Sequence, residues 1–257
     1  MGRLENKVAI VTGAASGFGA NIAQAIVREG GKVIAADIDI EGGQNITEQL
    51  NKSSPDSAAF VDFDCTKKVA WEVGLQTAID KWGKLDIVCS NAGVSYRRKP
   101  TAEVTEDEFD RVMGVNVKAL YQAVVVIVPY FEKMKRGVFC STSSVAGGRV
   151  RPGQGIYGCS KGAVNNLIQA LAAKYGPSGI RFNAVAPLRA PTKIVGVIQG
   201  EGWKDSKEEW EKFGKTVPLQ RVTTMEDISN AVVYLISEEA AFVTGVILPV
   251  DGGRLAV

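Results

Sequence analysis

Short apolar runs without polar alternation recur along this chain, and each is followed by a stretch of helical character. Val8-Ala9-Ile10-Val11 is the first, followed by a glycine-rich turn and a helical stretch over residues 18–29 that Gly30-Gly31 stops. Val33-Ile34-Ala35-Ala36 is the second and ends at Asp37. Further runs lie at Ala58–Phe63, Leu85–Cys89, Val138–Ser141 and Arg181–Val185, and a last strand is expected at Val246–Val250, before Asp251-Gly252-Gly253. A strand exposed on one face alternates apolar and polar residues, whereas an uninterrupted run suits a strand covered on both faces. Strand–helix repeats joined by right-handed crossovers make the strands parallel and put helices on both sides. The pattern therefore predicts an α/β fold, a doubly wound parallel sheet of about seven strands, in one domain over residues 1–257.

One region breaks the rhythm. Residues 192–217 are polar and charged and contain Gly196, Gly200, Gly202 and Gly214, with Trp203 and Trp210 at a helical spacing of seven. This predicts a short helical excursion outside the sheet, either a mobile lid over a substrate or a static surface insertion.

Several chemistries are excluded by what the chain lacks. It has no histidine, which removes histidine general bases, Ser-His-Asp and Cys-His catalysis, and histidine-ligated zinc. Its four cysteines, Cys65, Cys89, Cys140 and Cys159, form no CxxC pair and read as free thiols, so no metal site is expected. A net charge of +2 gives no reason to expect a nucleic-acid partner. No run of 18 apolar residues occurs and the N-terminus resembles no leader, so the expectation is a cytoplasmic protein without a membrane segment.

The turn Thr12-Gly13-Ala14-Ala15-Ser16-Gly17-Phe18-Gly19 lies between the first strand and the first helix, where backbone N–H groups and the helix dipole can receive a pyrophosphate. Gly13 permits a sharp turn, Gly17 a close backbone approach, and Gly19 packing of the helix against the strand. A purely structural turn has similar composition, but this placement favours a dinucleotide. Asp37 ends the second strand, where a carboxylate accepts ribose hydroxyls and repels a 2′-phosphate. Ser16 and Ile38 bring no cation to offset that repulsion, so NAD is expected over NADP; otherwise Asp37 is a solvated strand end.

Tyr157 and Lys161 are four residues apart, on one face of an expected helix. A nearby ammonium stabilises a phenolate, so the pair predicts a tyrosine with a lowered pKa, able to exchange protons. Alone, the pair is weak evidence and would usually be an ordinary helix surface.

Taken together, these motifs resemble the short-chain dehydrogenase/reductase family over nearly the whole chain. The resemblance includes Thr12 to Gly19, Asp64 before Cys65, Asn91-Ala92-Gly93, Asn116 in Gly114-Val115-Asn116-Val117, Ser144 thirteen residues before Tyr157, Pro187 with Thr192, and Val250-Asp251-Gly252-Gly253. It implies a Rossmann-type fold and an NAD-dependent interconversion of a secondary alcohol and a ketone. Tyr157 would be the general acid/base, and Lys161 would bind the nicotinamide ribose and lower the Tyr157 pKa. Ser144 would bond the substrate oxygen, and Asn116 would hold a water that links Lys161 to solvent. Asp64 and Cys65 would border the adenine, Asn91, Ala92 and Gly93 would line the cofactor cleft, and Thr192 would reach the nicotinamide amide or phosphates. Ser143 is the rival of Ser144. A homotetramer paired through helices at about 106–135 and 157–175, with a second contact through the last strand, is implied as well.

Leu188 stands where the family usually carries glycine after Pro187, a change that can narrow the pocket. Arg97, Arg98, Lys99, Arg149, Arg151, Arg189 and Lys193 flank the substrate side of relatives, as solvated loop charges or as attractors of an acidic substrate. The competing functions are a 3-oxoacyl reductase acting on carrier-bound chains and a non-catalytic NAD-binding protein on the same scaffold.

Overall fold

All seven expected strands join one parallel sheet in the computed structural model, which describes residues 2–257. The strands are β1 (Val8–Thr12), β2 (Lys32–Asp37), β3 (Ala58–Asp62), β4 (Ile87–Ser90), β5 (Gly137–Thr142), β6 (Ile180–Pro187) and β7 (Ile247–Val250), in the order β3-β2-β1-β4-β5-β6-β7. The fourth strand starts later than the apolar run suggests. The Asp86 carboxylate accepts the Val8 N–H at 3.0 Å and pairs with Lys84, so the residues before Ile87 serve the strand entry.

The helices are α1 (Gly17–Arg28), α2 (Ile40–Ser53), α3 (Lys68–Trp82), α4 (Glu106–Met113), α5 (Ala119–Met134), α6 (Gly155–Tyr175), α7 (Lys193–Gln199), α8 (Lys207–Gly214) and α9 (Met225–Ile236). Each buried strand feeds two cores by its alternation of side chains. Val8 and Ile10 of β1 pack with residues of α3, α5 and α6. Ala9 and Val11 pack on the opposite face with residues of α1, α2 and α9. Edge strand β7 is only partly buried and tolerates Pro249, because an edge needs no N–H on its free side.

The chain winds outward from β1 to β3 and then crosses back to β4, and this reversal opens a crevice beyond the carboxyl ends of β1 and β4. The expected helix at 106–135 runs from Glu106 to Met134 but is broken by a π-helical turn, Gly114–Lys118, which carries Asn116. Its length and apolarity meet the test for a membrane span. Ala119, Leu120, Ala123, Ile127, Val128 and Phe131 meet it because they are buried beneath the sheet.

The excursion at 192–217 is helical but holds two short helices, α7 and α8. Trp203 lies in the link between them, so its spacing to Trp210 is not that of one helix. The link folds back and sets the two indoles edge to face, with centroids 5.8 Å apart.

Candidate active site

The crevice is a cleft of about 420 Å³, lined at one end by the glycine-rich turn and at the other by residues following β4, β5 and β6. At the first end the wall is backbone. Gly13 and Gly17 have φ of +68° and +57°, where side chains are strained. A Cβ on Gly19 would lie 1.9 Å from the Gly13 carbonyl oxygen, so only glycine lets α1 start this close to β1. A Cβ on Gly17 would meet only Thr192, at 3.6 Å from Cγ2, which leaves an open cradle. Ser16 precedes α1 without capping it, and the first turn has no acidic residue. The first N–H groups of a twelve-residue helix thus face the cleft with an uncompensated positive dipole end, which fits the pyrophosphate of a dinucleotide.

Asp37 lines the same end and also braces the turn. Its Oδ2 accepts the Ala15 N–H at 2.9 Å and its Oδ1 the Asp39 N–H at 3.0 Å. The carboxylate is therefore a loop anchor as well as a candidate ribose acceptor, a duty that motif spacing does not reveal. Asp64 accepts from the Thr66 N–H and hydroxyl, and the Cys65 carbonyl from the Trp71 indole at 2.9 Å, which fixes the wall beyond β3. Asn91 ties three strand ends together. Its Nδ2 donates to the Thr12 carbonyl and its Oδ1 accepts from the Thr142 hydroxyl, both at 3.0 Å. Thr12, which sequence reasoning left out of the site, accepts the N–H groups of Asn91 and Ala92 through its hydroxyl.

The four candidate catalytic residues come from three elements and meet below the cleft. Tyr157 and Lys161 share the inner face of α6, and the Lys161 ammonium lies 5.9 Å from the Tyr157 ring centroid. Lys161 Nζ donates to the Thr142 carbonyl at 2.8 Å. Asn116 is held by the π turn, with its amide bonded to both backbone groups of Val94 and to the Ser160 hydroxyl at 2.9 Å. Ser160 in turn donates to the Tyr157 carbonyl at 2.7 Å, a link that motif reading missed. A Cβ on Gly93 would sit 3.3 Å from Lys161 Nζ and 3.4 Å from Asn116 Oδ1, so the missing side chain keeps open the space between them.

The two adjacent serines part company. Ser143 is buried and its hydroxyl donates to Asn165 Oδ1. Ser144 lines the cleft, accepts the Ala146 N–H at 3.1 Å and is hydrogen-bonded to Tyr157.

The expected lowering of the Tyr157 pKa is absent. Burial raises it above the ordinary tyrosine range, and the bond to Ser144 only partly opposes this. Lys161 is itself desolvated and pushed down to about 8. Its ammonium donates to the Thr142 carbonyl while lying over the Tyr157 ring.

At the other end of the cleft Pro187 closes β6 and Leu188 is buried. Thr192 donates to the Ala190 carbonyl at 3.3 Å and packs across the cleft towards Gly17. Arg98, Arg149, Arg151 and Arg189 also line this end. Cys65, Cys89 and Cys140 are buried, Cys159 is exposed, and none is paired. No cluster of metal-ligating side chains is found among the described residues.

Comparison with known proteins points to the same fold. A family profile described as enoyl-(acyl carrier protein) reductase matches residues 13–254. The chain is similar to 4-formylbenzenesulfonate dehydrogenase of Comamonas testosteroni, at 40% identity over 98% of each chain. It is also similar to (+)-borneol dehydrogenase 2 of Salvia officinalis, at 37% identity over 98% of this chain and 90% of the other. Among solved structures, the 3-ketoacyl-(acyl-carrier-protein) reductase of Brucella melitensis, complexed with NADH, superposes with a TM-score of 0.90. It is 32% identical, over 98% of this chain and 99% of that one.

Proposed function

The chain belongs to the short-chain dehydrogenase/reductase family of oxidoreductases, and from that premise we propose that it interconverts a secondary alcohol and a ketone with NAD(H), using Tyr157 as general acid and base. The observation that carries this reading is the convergence of Ser144, Tyr157 and Lys161 on one cleft that begins at a dinucleotide-type turn, with Asn116 beside Lys161 beneath it. When bound, the nicotinamide supplies or accepts the hydride. Tyr157 gives its phenolic proton to the substrate oxygen on reduction and takes it back on oxidation. Ser144 donates to the same oxygen and so favours the polarised carbonyl. The Lys161 ammonium, over the Tyr157 ring, favours the phenolate form during transfer, and Asn116 holds the backbone at Val94.

NAD is the proposed partner because Asp37 occupies the place a 2′-phosphate would need. Lys193, which also lines the cleft, faces Asp39 at 4.0 Å. A 3-oxoacyl reductase remains the second reading, favoured by the likeness to the Brucella enzyme, whose complex with NADH removes cofactor choice as an argument against it. Buried Leu188 and the α7–α8 excursion favour a small substrate. Unpaired cysteines suit a reducing, cytoplasmic setting.

We further propose a homotetramer. Phe109, Tyr121 and Val125 stand 42%, 55% and 37% exposed along one long helix, and Phe242 is fully exposed ahead of β7. Light scattering reporting a monomer at micromolar concentration would reject it. The function itself is tested by offering NAD with a panel of secondary alcohols and following NADH absorbance. Turnover with at least one is expected, and NAD binding without any turnover would favour the non-catalytic alternative.

A further inference from the structure

Four guanidinium groups lie at the substrate end of the cleft, following β4 (Arg98), β5 (Arg149, Arg151) and β6 (Arg189). The carboxylates that line the cleft, Asp37 and Asp64, follow β2 and β3 at the opposite end. Arg149 is occupied, donating to the backbone oxygens of Arg254 at 3.3 Å and Val257 at 2.6 Å. Arg98, Arg151 and Arg189 have no carboxylate within 4.0 Å among the described residues; the ion pairs of this chain lie elsewhere.

Arg189 is the most built of the three. Its guanidinium packs 5.3 Å from the Trp203 ring, 4.8 Å from Trp210 and 5.1 Å from Phe213. With its amide oriented to suit the pair, Gln199 Oε1 accepts from Nη1 and Nη2 at 3.0 and 2.7 Å. The buried Nε has no partner. The Arg98 stem packs on Gly153, where a Cβ would come within 2.4 Å of Cγ, and the Arg98 N–H donates to the Ile198 carbonyl, so this arginine is pinned between two loops. Burial lowers the pKa of both Arg151 and Arg189, and the neighbouring arginines add like-charge repulsion. Glu209 and Asp205 oppose this at Arg189 only from a distance. Half-buried cations fixed by neutral groups, mutually repelling and without a counter-charge, are costly unless an anion joins them.

We propose that the substrate carries, besides its carbonyl or hydroxyl, a small oxyanion of the carboxylate or sulfonate class, received by Arg98, Arg151 and Arg189. This rests on reading the cleft as a carbonyl/alcohol site. It adds that the reacting carbon and the anion belong to one compact molecule, the first set at Tyr157 and the second at the arginines. The planar fork of a guanidinium suits two oxygens of such a group.

The test is calorimetric titration of the full-length, NADH-loaded protein with benzoate, benzenesulfonate and neutral benzamide. At least one of the two anions should bind about tenfold or more tightly than benzamide, and comparing the two tells which oxyanion is preferred. Arg151→Gln and Arg189→Gln should each weaken that anion about tenfold while leaving benzamide and NADH within a few-fold. Retained NADH binding reports folding, and Arg151→Gln keeps the test alive if Arg189→Gln does not fold. Equal affinity for anions and benzamide, no binding by any of them, or anion binding indifferent to both substitutions would overturn the proposal. So would an equal loss in Arg97→Gln, because Arg97 lies outside the cleft lining and would report only a general surface field. No turnover is involved, so failure of the proposed chemistry is read separately.

Discussion

Over the ends of β1, β2 and β3 the cleft wall is mostly backbone, and over β4, β5 and β6 it is mostly side chain. The first half is made from Gly13, Gly17, Gly19 and short hydrogen bonds that end locally, such as Ala15 to Asp37 and Thr66 to Asp64. The second half is made from long side chains brought together from distant segments, and it holds the orphaned donors Arg189 Nε and Trp203 Nε1. A backbone wall suits a ligand of fixed shape, whereas a wall of arginines and indoles can be respecified without disturbing the fold. On the proposed function, the backbone half carries the constant part of the chemistry and the side-chain half the choice of molecule.

The largest expected effect lies where the halves meet. Tyr157→Phe removes one hydroxyl while the ring keeps its buried place on α6. Turnover should fall by roughly 10²–10⁴, the usual contribution of general acid–base catalysis, with NAD affinity within a few-fold. Because burial holds the Tyr157 pKa above its ordinary value, the phenol is protonated at neutral pH. Reduction should accordingly be flat through neutrality, while oxidation, which needs phenolate, should climb with alkalinity. Steady-state rates in both directions across pH check this. A Tyr157→Phe rate above about a tenth of the unmodified one would assign proton transfer elsewhere.

A smaller effect is expected in the backbone half. Asp37→Asn keeps an oxygen for the Ala15 N–H but removes the charge, whereas Asp37→Ala removes both. The unmodified protein should prefer NAD over NADP by about tenfold or more in kcat/KM, the equivalent of one like-charge clash. Asp37→Asn should narrow that ratio mainly by improving NADP. Asp37→Ala should narrow it while worsening both cofactors, because the turn loses its brace. If the two variants behave alike, Asp37 acts through charge alone; if neither changes the ratio, cofactor choice lies elsewhere.

The same division explains what could be read before the structure. All seven strands and the glycine-rich turn were legible because apolar runs and steric demands are local. Asp37 was found by its distance from the turn, but its bond to Ala15 was not, because motif spacing does not say where a lone pair points. Ser144 is preferred to Ser143 by its spacing to Tyr157, and the structure adds the reason Ser143 is occupied: its hydroxyl donates to Asn165 on α6. Four-residue spacing puts Lys161 on the right face but does not show that burial around Tyr157 raises its pKa, or that the ammonium also donates to the Thr142 carbonyl. Trp203 was misassigned to a helix because a spacing of seven also fits a link that doubles back onto α8.

The smallest expected effect concerns the cost of the site. Lys161 is buried, charged at neutral pH and satisfied by one protein hydrogen bond, so the cofactor-free native state bears a desolvation penalty. Its pKa is about 8 when folded, against 10.5 for the ordinary side chain. Below that folded value lysine is protonated in both states and the penalty is complete. As pH rises from about 8 towards 10.5 the native state releases the proton while the unfolded chain keeps it, so this contribution to stability improves with pH. Lys161→Met fills similar volume without charge and should stabilise the cofactor-free protein at pH 7 by about 1 kcal/mol, after allowing for the lost bond to Thr142. The gain should shrink at alkaline pH, where the unmodified lysine is neutral. Turnover should collapse in the same variant, since the ammonium near Tyr157 is gone. Urea unfolding without cofactor at neutral and alkaline pH, beside turnover, measures both sides. A variant destabilised at every pH would mean that the Thr142 bond outweighs desolvation, and that the substrate half is held together by the residues that perform its chemistry.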